Sequence, residues 1–241
     1  MKAKLLGIFT LFLLAGAGVV YWAVFWNAQA EKHFKVELTL AVSGDIQRFS
    51  AVQALKIYKV IGLPLPNLRP AYPKRQLQGE AVTVQLDGKK PLFALLRTPA
   101  SEEDYRRMFS EACGLDRKVP FSPNFVQMVN YTSDLIERFR NFEGTCTVPL
   151  DWLPAFVWFE NPGLPGGAHT VESAHFATQF SADVQFISLT LTTTDAPLSM
   201  GIKDLLPWLV WKPKGADFRN IQAYGQYELT LVGRYFQTFY F

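Results

Sequence analysis

The sequence predicts an α+β fold behind an N-terminal single transmembrane helix: a mostly antiparallel β-sheet or sandwich domain with a two-helix insertion at about 101–143. Three observations predict it. Residues 5–26 carry no charge. Both ends of the remaining chain alternate apolar and polar residues with the period of a strand. The middle, from Ser101 to Gly144, keeps the spacing of amphipathic helices.

Leu5 to Trp26 is a run of 22 residues with Thr10 as its one mildly polar interruption. As a helix it is about 33 Å long, enough for the hydrocarbon core of a bilayer, whereas the apolar region of a secretory signal runs about 7–15 residues. Lys2 and Lys4 hold residues 1–4 on the cytoplasmic side. Tyr21, Trp22 and Trp26 stand at the far end, where amphipathic rings favour the headgroup layer. Ala28-Gln29-Ala30 fits the small-x-small pattern of signal peptidase, so cleavage after Ala30 is the competing reading. On the anchor reading, residues 27–33 are a short linker. The body, residues 34–241, then sits close to the membrane in the periplasm or another extracytoplasmic space.

The body is built to pack. Of 241 residues, 15% are aromatic and 20 are Phe, which argues against disorder. Lys2 and Lys4 account for two of the 24 basic groups, leaving 22 against 21 acidic groups in the rest. A near-neutral body offers no electrostatic case for a nucleic-acid partner. Cys113 and Cys146 are the two cysteines, and an even pair in an exported domain suits a disulfide.

The elements follow in order. "HFKVELTLAV" sets Phe34, Val36, Leu38, Leu40 and Val42 on one face of a strand. Ser43-Gly44-Asp45 is a turn, and the chain runs back from Ile46 to about Gly62. "NLRPAYPKR", with Pro70 and Pro73, reads as a surface connector. "EAVTVQL" and "PLFALLR" form a hairpin around Asp87-Gly88. A helix follows with Ser101 as N-cap, three acids in its first turn and Gly114 at its end. A longer helix starts at Ser122-Pro123 and stops at Gly144, with Phe125, Met128, Val129, Leu135, Ile136 and Phe139 at helical spacing. Asn130-Tyr131-Thr132 matches a glycosylation sequon but falls inside this helix.

Beyond it, four prolines cut residues 148–167 into short apolar pieces. "DVQFISLTLTTTD" alternates as a central strand, "GIKDLLPWLVWKPKG" is a short helix or apolar loop, and "YGQYELTLVGRYFQTFYF" closes the chain as one long strand bent at Gly233.

Few residues suggest chemistry. His169, Glu172 and His175 are the candidate metal ligands, but the spacing of the two histidines shares a face only on a strand and matches no zinc motif. The sequence contains no G-x-S-x-G and no phosphate-binding loop. The tryptophans say more. Trp152/Trp158 and Trp208/Trp211 are close pairs, the second beside Lys212 and Lys214. Such segments are core, partner contacts or membrane contacts.

These features point to a single-pass inner-membrane protein whose extracytoplasmic domain binds other envelope proteins, as a subunit, scaffold or assembly factor. No cofactor, metal, small-molecule substrate or nucleic acid is expected, and the chain is not read as an enzyme. The alternative is a hydrolase-like extracytoplasmic enzyme with its site near the Gly/Pro loop 161–169. The anchor reading is tested by the N-terminus of the mature protein. Sequencing from Met1 is expected, and a mature chain starting at Glu31 would replace the anchor with a cleaved signal.

Overall fold

The computed structural model describes residues 29–61, 71–116, 125–164, 167–210, 221–224, 229–231 and 236–238. The expected span 5–26, with Tyr21, Trp22 and Trp26, lies outside these residues, as do Trp211, Lys212 and Lys214. Among the described residues no helix is long and apolar enough to cross a membrane. The chain divides into two compact units. One comprises Met1–Ala30, Ile57–Lys74 and Arg117–Arg140; the other comprises Glu31–Lys56, Arg75–Asp116 and Asn141–Phe241.

The first strand, β1 (Gln29–Val42), carries the predicted apolar row, with Phe34, Val36, Leu38 and Leu40 at most 1% exposed. It begins earlier than expected. Ala30 is buried in phase with Phe34, so residues 29–33 of the supposed linker are strand. Ser43 and Gly44 both have positive φ, 51° and 92°, as a two-residue type I′ hairpin loop requires, and lead into β2 (Asp45–Ile61).

The expected connector is half strand: β3 spans Ala71–Glu80 and includes Pro73. That proline stands near the start, where one missing N–H costs the ladder little. β4 (Val82–Val84) and β5 (Leu92–Ala94) make the predicted hairpin.

Helix α1 (Glu102–Glu111) starts where predicted, with Ser101 Oγ accepting the Asp104 N–H at 3.0 Å. Helix α2 (Phe125–Asn141) is the longer predicted helix. Leu135, Ile136 and Phe139 are buried, and Arg138 reaches Asp134 one turn back at 2.9 Å. The caps expected for it, Ser122 and Pro123, lie outside the described residues.

The proline-cut stretch yields β6 (Thr145–Thr147), a 3-10 helix at Leu150–Trp152 and β7 (Phe156–Phe159). After it come β8 (Ala168–Val171), α3 (Phe176–Gln179), β9 (Val184–Thr194) and α4 (Ile202–Leu205). The C-terminal segment is not one strand. It supplies β10 (Ile221–Tyr224), β11 (Leu229–Leu231) and β12 (Gln237–Thr238), and Gly233 lies outside the described residues.

The strands among the described residues form two six-stranded sheets. The first has the order β12-β3-β2-β1-β9-β6, the second β11-β10-β8-β7-β5-β4. The described pairings are antiparallel except β10 with β8. The C-terminal run is divided because β11 belongs to the second sheet and β12 to the first. The fold is therefore mostly antiparallel β with a few helices, of α+β type.

One face of the second sheet packs Phe93, Val157 and Phe159 with Ile202, Leu206 and Trp208. Phe236 completes that cluster, with its ring 5.8 Å from Phe93 and 5.5 Å from Trp208. The apolar row of β1 is met by α1, where the Phe34 and Phe109 rings lie 5.2 Å apart edge to face.

Two polar side chains in the interior meet polar partners, although Arg75 Nε is buried without one. Gln53 has no exposure; it accepts from Tyr105 Oη at 2.9 Å and donates to Glu80 O at 2.8 Å. Burial pushes the Tyr105 hydroxyl well above its ordinary range, so it remains a neutral donor. Arg75, nearly enclosed, donates to both oxygens of Asp116 at 3.2 and 3.0 Å, and Ser110 Oγ donates to the same carboxylate.

Cys113 and Cys146 form the expected disulfide, with Cα atoms 5.2 Å apart. It joins the residues after α1 to β6 across 33 positions. Replacing both cysteines by serine is expected to lower stability by about 3–4 kcal/mol on the chain-entropy account. Urea unfolding checks this: the midpoint should fall, and an unchanged midpoint would deny the bridge a stabilising role.

Candidate functional site

The segment singled out by sequence, residues 161–175, begins in the β7–β8 connection. In the ladder Trp158 stands opposite His169. Their rings stack at 4.3 Å with 15° between planes. Lys90, just before β5, brings its Nζ to 4.9 Å from the Trp158 ring centroid. The indole N–H donates to Gln179 O at 3.1 Å. His169 Nε2 lies 3.0 Å from Glu160 Oε1, and the Glu160 N–H donates to Gly167 O across the loop. The result is a row across three neighbouring strands: a cation, an indole and an imidazole held by a carboxylate.

Glu172 does not join this row. β8 ends at Val171, and the chain turns into a 3-10 helix at Ser173–His175. There Glu172 Oε2 lies 3.0 Å from His175 Nδ1. A strand through position 175 would have set both histidines on one face. The strand stops short, so the three candidates separate into two histidine–carboxylate pairs. Among the described residues no group of three His, Cys, Asp or Glu side chains is placed to hold a metal ion. Each imidazole is oriented by a carboxylate, as in an acid–base pair. Among the described residues neither is hydrogen-bonded to a hydroxyl or thiol side chain.

The three tryptophans among the described residues occupy three environments. Trp208 is 3% exposed and donates its indole N–H to Pro162 O at 3.0 Å, so it is a core residue and not a surface contact. Trp158 is half-buried in the row just described. Trp152 is half-buried on its 3-10 helix under the Arg107 guanidinium, 5.6 Å from the ring centroid. Close by, a cleft of about 360 Å³ is lined by Thr98, Leu150, Leu153, Phe156, Val171 and Glu172. Leu150 on its rim is 69% exposed.

A further polar cluster has no signal in the sequence. Asp183, just before β9, accepts from Ser43 Oγ at 2.8 Å, Lys89 Nζ at 2.6 Å and Ser181 Oγ at 2.6 Å. The donors come from the β1–β2 turn, the β4–β5 turn and the lead-in to β9. Positions 140 and 94 residues away in the chain thus meet on one carboxylate. Only the turn identities were visible beforehand, and turns that carry Ser, Lys or Asp are common on any surface.

With this geometry established, the chain matches no family model, no curated protein and no solved structure.

The hydrogen bond from Lys89, and then those from Ser181 and Ser43, hold the Asp183 carboxyl well below the usual carboxylate range. A depressed folded-state pKa contributes stability that is fully present above the unfolded value, near pH 4, and is lost as pH falls toward the folded one. The stability gap between wild type and Asp183→Asn should therefore be widest near neutral pH and shrink in acid. Parallel curves from pH 7 to pH 2 would remove Asp183 from the acid response.

Proposed function

We propose that this chain is a single-pass, membrane-anchored envelope protein whose extracytoplasmic body binds other proteins, as a subunit, scaffold or assembly factor of a membrane complex. The observation that carries the reading is the Cys113–Cys146 disulfide. Disulfides persist in oxidising compartments and are rare where thiols are kept reduced. The uncharged run 5–26 behind Lys2 and Lys4 supports the same side of a membrane. The body also offers large apolar side chains to solvent, Leu150 and Met200 among them at 69% and 67% exposure. Such residues, set beside clefts, suit protein contact.

A second reading, a hydrolase with its site near 161–169, has one observation in its favour: the Glu160–His169 pair at the end of that loop. It requires a nucleophile or water held on His169, and substrate turnover abolished by His169→Ala would establish it.

Two measurements test the first reading. Full-length protein isolated in mild detergent should bring stoichiometric membrane partners, identified by mass spectrometry, and a lone monomer would overturn the binding role. Maleimide-polyethylene glycol added under denaturing conditions should label neither cysteine until reductant is present. Labelling without reductant would overturn the extracytoplasmic assignment.

A further inference from the structure

On the body, a cleft of about 490 Å³ opens where β2 and the end of β3 meet residues 199–205. Phe49, Met200 and Leu205 supply apolar wall, and Ser50, Thr83 and Gln85 supply polar wall. Glu80 lines the same cleft although it is only 4% exposed. Its Oε2 accepts the Ile202 N–H at 3.0 Å. Its Oε1 has no hydrogen-bond or ion-pair partner among the described residues. Yet Oε1 is not one of the side-chain atoms sealed from solvent without a partner.

This carboxylate is held in place by the backbone around it. Gln53 Nε2 donates to Glu80 O, and the Ala81 N–H donates to Phe236 O at 2.7 Å. The preceding residue, Gly79, has φ +131°, and a Cβ there would come within 3.0 Å of Gln53 Cα. Only glycine allows β3 to pass β2 this closely and still deliver Glu80 to the cleft. A carboxylate on a residue only 4% exposed, with one oxygen unpaired by the protein, is stabilised when a cation meets it. Arg48 lines the cleft as well, but its Nε pairs with Glu37 on β1 at 3.8 Å.

We propose that this cleft receives a basic side chain, Lys or Arg, from a partner protein. The charged head binds Glu80 Oε1, and the methylene stem lies along Phe49, Met200 and Leu205. Long side chains with an apolar stem and a charged tip match a site that is apolar along its wall and anionic at its base. The natural occupant rests on the protein-binding reading above. The cleft itself is tested without any partner, so failure here and failure of the pull-down are separate results.

The chain has four methionines, and the exposed Met200 methyl reports directly on the cleft. Full-length protein in non-ionic detergent, labelled with carbon-13 at methionine methyls, is titrated with N-acetyl-arginine methylamide and N-acetyl-lysine methylamide. The uncharged N-acetyl-norleucine methylamide serves as control. A saturable shift of Met200 is expected with at least one cation, in the millimolar range fitting a single side chain, and none with norleucine. Glu80→Gln retains an acceptor for the Ile202 N–H but loses the charge, and should weaken binding about tenfold or more. An unmoved resonance from buried Met108 shows that this variant is folded. Gln85→Lys, which leaves the Glu80–Ile202 bond untouched, sets a competing ammonium in the cleft and should abolish saturation. A response without saturation, an equal response to norleucine, or unchanged affinity in a folded variant would overturn the proposal.

Discussion

The rest of the larger unit is arranged around one constraint: the apolar row of β1 must be kept from water along its whole length. Phe34, Val36, Leu38 and Leu40 are each worth roughly 1.5–3 kcal/mol when buried. At one end the row is met by α1 through Phe109. At the other end the cover comes from the neighbouring strand and the second sheet. Phe186 on β9 stands beside Leu40, and its ring lies 6.0 Å from Phe156 on β7 and 6.1 Å from Phe176 on α3. This arrangement needs a change of phase in β9. Leu191 and Leu189 face inward, so strict alternation would turn Ile187 in and Phe186 out. The register shifts between Thr39 and Leu40 instead. Ile187 goes to the outside, 49% exposed, while Phe186 stands opposite Leu40 and Val184 is enclosed. A bulge spoils one rung of the ladder and re-aims every side chain beyond it.

Polar groups inside this unit set positions that apolar packing leaves free. A layer of Phe and Leu accepts small slides of a helix over a sheet; an enclosed glutamine does not. Gln53 fixes α1 through Tyr105 and fixes the end of β3 through the Glu80 carbonyl. Arg75 fixes β3 against the residues after α1 through Asp116. Both arrangements would be costly if half-broken, because each would leave a buried donor or charge unanswered. The disulfide adds a covalent limit in the same region, at the far end of α1.

The same geometry explains why the surface chemistry differs from a reading of local windows. His169, Glu172 and His175 are near neighbours in sequence, yet β8 ends between the first and the other two. The partners that matter for His169 are Trp158 and Glu160, across a strand and across a loop. Trp208 follows Pro207 in a short apolar segment that also carries Lys203 and Asp204, and its indole closes the core against Phe236. Glu80 had no distinguishing mark beyond a following apolar run. Its significance comes from Gly79, Gln53 and Ile202, which meet it only in the folded chain.

The sequence by itself determined the α+β class, the β1 face, the hairpin at Gly88 and both main helices, because each is written in a period or a cap within about twenty residues. It also determined that two cysteines were present to pair. Tertiary structure alone decided that they do pair, that residues 71–80 are a strand despite Pro73, and that the C-terminal run divides between two sheets. It alone decided which carboxylates meet which cations. Those outcomes depend on contacts between residues tens of positions apart, and local propensity carries no record of distant partners.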